Sequence, residues 1–170
     1  IIERSESLIL DILDIRSRGG LPMEVNKVLW PTDFSSSAEK ALPYVTDLTQ
    51  KYGAEIHVLY VIEDIANHDG WYGEFGKDKI DKLMQHADKS ANKRLNQICD
   101  KYLNSCPLYI KHVAVGDPTQ EILKLINKEE IDLVVMASHG SQGNFRFGSV
   151  TEKVLKNSPV PVTTIPVEPE

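Results

Sequence analysis

The chain is poor in cysteine, in clustered positive charge and in long apolar runs. Cys99 and Cys106 are its two cysteines in 170 residues. Their spacing is not that of a zinc site, and no histidine pair stands nearby at ligand spacing, so a cysteine metal framework is excluded. Both are expected to be free thiols, buried or half-buried, in a reducing, cytoplasmic compartment. Lys and Arg are scattered, and 19 basic against 25 acidic side chains give a net charge of −6. That balance argues against a nucleic-acid backbone as partner. The apolar run Leu133 to Ala137 is far too short to span a membrane, so no membrane partner is expected. The N-terminal stretch does not read as a signal peptide, because Asp11 and Asp14 interrupt its apolar residues. Two nucleotide fingerprints are also missing: the Walker pattern and G-x-G-x-x-G.

What is present is an ordinary globular composition. Apolar residues make up 41%, too many for a disordered chain and enough for a proper core. Residues 1–22 do not match the rest. They end in the breaker-rich Ser17, Arg18, Gly19, Gly20, Leu21, Pro22, immediately before Met23. The segment is expected to be a vector-derived leader; the alternative is a native N-terminal extension that docks its Leu8, Ile9, Ile12, Leu13 and Ile15 stripe on a neighbour. Residues 23–170 then form one domain.

From Lys27 onward strand and helix patterns alternate. Lys27 to Trp30 reads as a strand. Ser36, with Glu39 as a capping box, opens a helix whose apolar face is Ala38, Ala41, Leu42, Val45, Leu48 and Tyr52. Pro43 lies inside it and Gly53 ends it. Glu55 to Ile62 is a second strand. A loop to Lys77 holds Trp71, Tyr72 and Phe75, readable as a lid, a partner surface or a connector. A long helix follows from Asp78 to Tyr102, with Ile80, Leu83, Met84, Ala87, Ala91, Leu95 and Ile98 on one face. Tyr109 to Val115 is the third strand, and Asp117 caps the next helix with Pro118 at its first position. The fourth strand, Ile131 to Ala137, is nearly all apolar, as expected for a strand buried on both faces. Ser149 with Glu152 reads as a second capping box, opening a helix to about Asn157. Val160 to Val167 is the fifth strand, placed at an edge by Pro161 and Pro166. Five strands with intervening helices predict one doubly wound α/β domain, with ligands bound outside the carboxyl ends of its strands.

Two loops at those ends carry polar chemistry. The loop from Ser138 to Gly148 holds Gly140 and Gly143 and leads into a helix start. Glycines there admit close backbone approach and positive φ, and the helix start favours an anion, so the loop suits a phosphate. The alternative is a flexible connector whose Ser149 merely caps its helix. Asp33 is either a turn residue or an acceptor for a base amino group or a ribose hydroxyl. His139 offers acid–base chemistry, with no partner identifiable from sequence.

KVLWPTDFSSSAEKAL from Lys27, HVLYVIED from His57, VGDP from Val115 and DLVVMASHG…GSVTEKVLKNSPVPV from Asp132 to Val162 occur in that order. Together they resemble the universal stress protein family over essentially all of Met23 to Val167. The resemblance implies an open parallel five-stranded sheet of order 3-2-1-4-5 with helices on both faces. It implies a homodimer through the last strand, with Val160, Val162, Thr164 and Val167 at the interface. Family members that bind ATP have a glycine, two residues, a second glycine, nine residues, then Gly-Ser or Gly-Thr. Here the first position is Ala137, the second is Gly140, and seven residues separate Gly140 from Gly148. Arg146 stands in that loop as a possible phosphate cation. The resemblance further implies a base and ribose site at Pro31, Thr32, Asp33, Val61 and Met136. It implies a phosphate site at Ala137, Gly140, Gly148, Ser149, Val150 and Thr151. The ligand it implies is ATP or AMP, with or without magnesium. The implied role is a nucleotide-binding sensor or regulator in the stress response, without enzymatic turnover. The alternative is a dimeric interaction protein of the same fold that binds no nucleotide.

Overall fold

The computed structural model describes residues 24–63, 77–102, 109–140 and 147–167. The 1–22 segment, Trp71, Tyr72, Phe75, Cys106, Gly143 and Arg146 lie outside these. The elements run β1 Lys27–Pro31, α1 Ser36–Glu39, α2 Leu42–Tyr52, β2 Glu55–Ile62, α3 Lys77–Tyr102, β3 Tyr109–Val115, α4 Pro118–Glu129, β4 Leu133–Ala137, α5 Ser149–Asn157 and β5 Val162–Ile165. The five strands form one sheet of order β3-β2-β1-β4-β5, and every pairing is parallel. This is the expected order.

Alternation along the strands divides the core between two faces. Val28, Trp30, Ile56, Val58, Leu133 and Val135 meet Ala41, Leu42 and Val45 on one side, with Leu95, Ile98 and Cys99 of α3. Leu29, Leu59, Val134 and Met136 meet Ile122, Leu125, Ile126 and Val154 of α4 and α5 on the other. All of β4 is buried, as its apolar run predicts. Burial pushes the free Cys99 thiol up to about 11, so it is an unreactive packing group.

Several local expectations need correction. The helix expected from Ser36 is two helices. Lys40 and Ala41 form a turn, and Pro43 sits in the first turn of α2, where its missing N–H costs no helical bond. The cap of α1 is Ser35, whose side chain accepts from the Ala38 N–H. Glu39 instead accepts the Tyr102 hydroxyl at 3.2 Å. At α5 the N-cap is Gly148, with no side-chain cap, and Ser149 is already helical. Glu152 pairs with Lys156 at 2.5 Å. Tyr52 is 54% and Leu83 is 60% exposed, so neither belongs to a core face. The reason at α3 is length. Its 26 residues make about 39 Å of helix, whereas an eight-residue strand such as β2 spans about 26 Å. The described side chains of α3 first become buried at Ala91. Pro161 and Pro166 flank β5, which lies at the sheet edge as expected.

A histidine pair on the α4 face, half-buried His112 against buried His57, is expected to give a pH response. His57 Nδ1 lies 2.9 Å from His112 Nε2, and His57 Nε2 lies 2.8 Å from Glu55 Oε1. An ionised Glu55 accepts the His57 Nε2 proton, so His57 Nδ1 accepts from His112 when both rings are neutral. Burial, then the neighbouring His57, holds His112 below its usual 6.5; Lys128 adds to this, while Glu129 and Glu55 oppose it. The unfolded chain therefore takes up this proton first as pH falls. The contribution to stability is full above the unfolded value and is lost as pH drops through it toward the folded one. Urea midpoints of the parent should fall between about pH 7 and 5. His112→Gln should flatten that slope, and an unchanged slope would assign the response to other groups.

Candidate functional site

In the sheet β2 and β3 are laid down on one side of β1, and β4 and β5 on the other, so the strand order reverses between β1 and β4 while all strands stay parallel. The loops leaving these two strands part there and open a crevice, as open α/β sheets do. A cleft of 530 Å³ occupies the place. Pro31, Thr32 and Asp33 come from the end of β1, and Val61 from β2. Met136, Ala137 and Gly140 come from β4 and its loop. Gly148, Ser149, Val150 and Thr151 come from the start of α5. All eleven line this one cleft.

The β1 turn is tightly bonded. The Thr32 N–H donates to the Leu59 carbonyl at 2.9 Å, and Thr32 Oγ1 accepts the Phe34 N–H at 3.1 Å. Asp33 Oδ1 accepts the Ser35 N–H at 2.9 Å and also the Ser35 hydroxyl. Across the cleft the two glycines are there for close approach, not positive φ. Gly148 has φ −70°, and Gly140 is not among the positive-φ residues. A Cβ on Gly140 would stand 2.3 Å from Asp33 Oδ2; one on Gly148 would stand 3.2 Å from the His139 Cα.

The loop is closed at its base by the Gly148 N–H donating to the Ser138 carbonyl at 2.8 Å. Thr151 Oγ1 donates to the Ala137 carbonyl at 3.1 Å and is buried. Its hydroxyl ties α5 to β4, which leaves its backbone N–H as the donor that faces the cleft at this position. With no side-chain cap on α5, the N–H groups of its first turn are the donors that an anion would meet.

Six lining residues escaped the expected site: Ala38, Glu63, Pro118, Ile122, His139 and Phe147. His139 carried a sequence signal, as a polar residue beside Gly140. Ile122 and Pro118 carried none, since both serve a helix in their own right. His139 is buried, with Nδ1 3.2 Å from Ser138 Oγ. Ser138 Oγ also accepts the Val167 N–H at 3.2 Å. Among the described lining residues the charged groups are carboxylates, Asp33 and Glu63, with no Lys or Arg. The positive poles this part of the cleft presents are therefore backbone N–H groups.

A model of the universal stress protein family matches residues 24–166. The chain belongs to that family. The universal stress protein MJ0577 of Methanocaldococcus jannaschii is 29% identical over 151 residues, covering 82% of this chain and 93% of that protein. A solved structure of MJ0577 matches with TM-score 0.74 at 28% identity, over 86% of this chain and 99% of its own. Universal stress protein UspA from Lactobacillus plantarum matches with TM-score 0.66 at 26% identity, over 84% and 98%. Both share the fold described above. In this universal stress protein, the residues expected at a dimer interface pack, in part, within the chain itself. Val160 and Val162 pack against the α4–α5 cluster, Thr164 is half-buried and Val167 is buried. No helix among the described residues is long and apolar enough to cross a membrane.

Proposed function

We propose that this universal stress protein is a regulator that binds an adenine nucleotide, ATP or AMP, without turning it over. The observation that carries the reading is the uncapped start of α5 opening on the same cleft as Asp33. One end offers backbone N–H groups to a phosphate, the other a carboxylate to a ribose hydroxyl or base amino group. Pro31, Val61 and Met136 supply apolar surface between them. Two structural relatives were solved with adenine nucleotides, one in complex with cAMP and one from Archaeoglobus fulgidus in complex with dAMP. At 16% and 18% identity their likeness is one of fold, and it makes these nucleotides the first probes to try. No group of three or more His, Cys, Asp or Glu among the described residues is set to hold a metal ion. In this reading magnesium comes with the phosphates of ATP, its usual partners. The reading also has the protein act as a cytoplasmic homodimer joined through β5.

Isothermal titration with AMP and with ATP, the latter with and without magnesium, tests the reading. Heat and a thermal upshift are expected in the parent. Asp33→Ala should weaken binding about tenfold, the effect of one charge-assisted hydrogen bond. No heat and no upshift at millimolar nucleotide would overturn the reading in favour of an interaction protein of the same fold.

A further inference from the structure

The turn that presents Asp33 contains a residue in an unfavourable backbone conformation. Phe34 has φ 61°, the left-handed region where an L side chain with a bulky group is an outlier. Such conformations persist only where surrounding contacts hold them, and they cluster at sites where position matters. The contacts here come from two other elements. The Phe34 ring stacks on Tyr60 of β2, with centroids 4.2 Å apart and planes at 28°. The Arg94 guanidinium of α3 lies over the Phe34 ring at 4.9 Å from its centroid. Phe34 is itself buried, within the core cluster of the α2–α3 face.

The consequence falls on its neighbour. With Phe34 in this conformation, its N–H reaches Thr32 Oγ1, and the Ser35 N–H and hydroxyl reach Asp33 Oδ1. The second carboxylate oxygen is thereby set against Gly140 on the other wall of the cleft. We propose that Phe34 is a positioning residue for the nucleotide site: Tyr60 and Arg94 clamp its ring, and the clamped turn fixes the Asp33 carboxylate in the cleft. Arg94 lies on α3, which contributes no side chain to the cleft among its described residues. Helix α3 is then coupled to ligand affinity through this one stack. The proposal rests on the nucleotide reading above.

A double-mutant cycle separates positioning from packing. Phe34→Leu keeps an apolar side chain and loses the stack. It should weaken AMP binding about fivefold in the otherwise parental protein, and hardly at all in the Asp33→Ala background, because the group it positions is gone. Phe34→Tyr keeps the ring and should restore near-parental affinity. Arg94→Met removes only an exposed cation and leaves the fold intact. It should weaken AMP binding roughly threefold, again only when Asp33 is present, with an unchanged melting midpoint. If Phe34→Leu does not fold, the Arg94→Met cycle decides alone. A parent that binds no nucleotide overturns both readings at once. A parent that binds, with equal penalties in the two backgrounds, overturns the positioning role and leaves the nucleotide reading standing.

Discussion

Gly140→Ala should reduce AMP affinity about a hundredfold. The added Cβ would stand 2.3 Å from Asp33 Oδ2, closer than a non-bonded carbon and oxygen can rest, so one wall of the cleft must move. Backbone strain is not the cause, since Gly140 is not among the positive-φ residues and its backbone admits alanine. Asp33 cannot simply rotate away, because the Ser35 N–H and hydroxyl hold its other oxygen. Displacing it removes a charge-assisted bond, about 1.5–3 kcal/mol. The crowding adds about 1–3 kcal/mol, of which only part is lost from the fold. A melting midpoint lower by roughly 2–8 °C is expected, with the protein still folded at room temperature. The informative control is the same alanine in the Asp33→Ala background. There the carboxylate is absent, and the Cβ should fit at little cost in stability. Equal melting losses in the two backgrounds would show that Gly140 is needed for something other than approach to Asp33.

That contact also marks where sequence reasoning reached its limit. The alternation of strand and helix patterns specified the fold class, and the run Leu133–Ala137 correctly indicated a strand buried on both faces. Asp117 and Pro118 were legible because a cap acts through its own neighbours: Asp117 accepts the Gln120 N–H at 2.9 Å. The eleven expected lining residues were legible through a family motif, and physics then accounts for their meeting at one strand-order reversal. The errors share a cause. Ser35, Ser36 and Ser37 are chemically alike, so the cap of α1 is chosen by the left-handed Phe34 and the Asp33 bonds, which no propensity scale holds. Gly148 caps α5 because its N–H is drawn to the Ser138 carbonyl, a contact across the loop. Likewise the face of Leu83 depends on where the sheet ends. The closeness of Asp33 and Gly140 follows from the strand register between β1 and β4, and the bond from Thr151 to Ala137 from the packing of α5 on the end of β4; both appear only once the sheet and its helices are assembled.

The strand register itself depends on Asp132, and here the largest loss of stability is expected. Sequence patterning placed Asp132 inside the fourth strand, yet β4 begins at Leu133. Asp132 stands at its entrance, where Oδ2 accepts the Asn26 N–H at 2.8 Å and the Lys27 N–H at 2.9 Å. Its own N–H donates to the Lys27 carbonyl at 3.0 Å. One residue later the β1–β4 pairing starts, Val28 opposite Leu133. Lys27 adds a second tie, its Nζ donating to the Glu129 carbonyl at 2.7 Å. Asp132→Ala leaves two backbone donors without acceptors where the central strand begins. Water can reach the exposed one, so the expected cost is about 2–4 kcal/mol rather than the full sum of two charge-assisted bonds. Asp132→Asn keeps an oxygen in the same place and loses only the charge, so about 0.5–1.5 kcal/mol is expected. Urea unfolding at neutral pH measures both. Equal losses for Ala and Asn would mean that the charge, and not the acceptor, is what matters. Asp132 lies at the opposite end of β4 from Met136, Ala137 and Gly140. Below the melting transition, both variants should therefore bind AMP with parental affinity. This separates the residue that sets the register from those that use it.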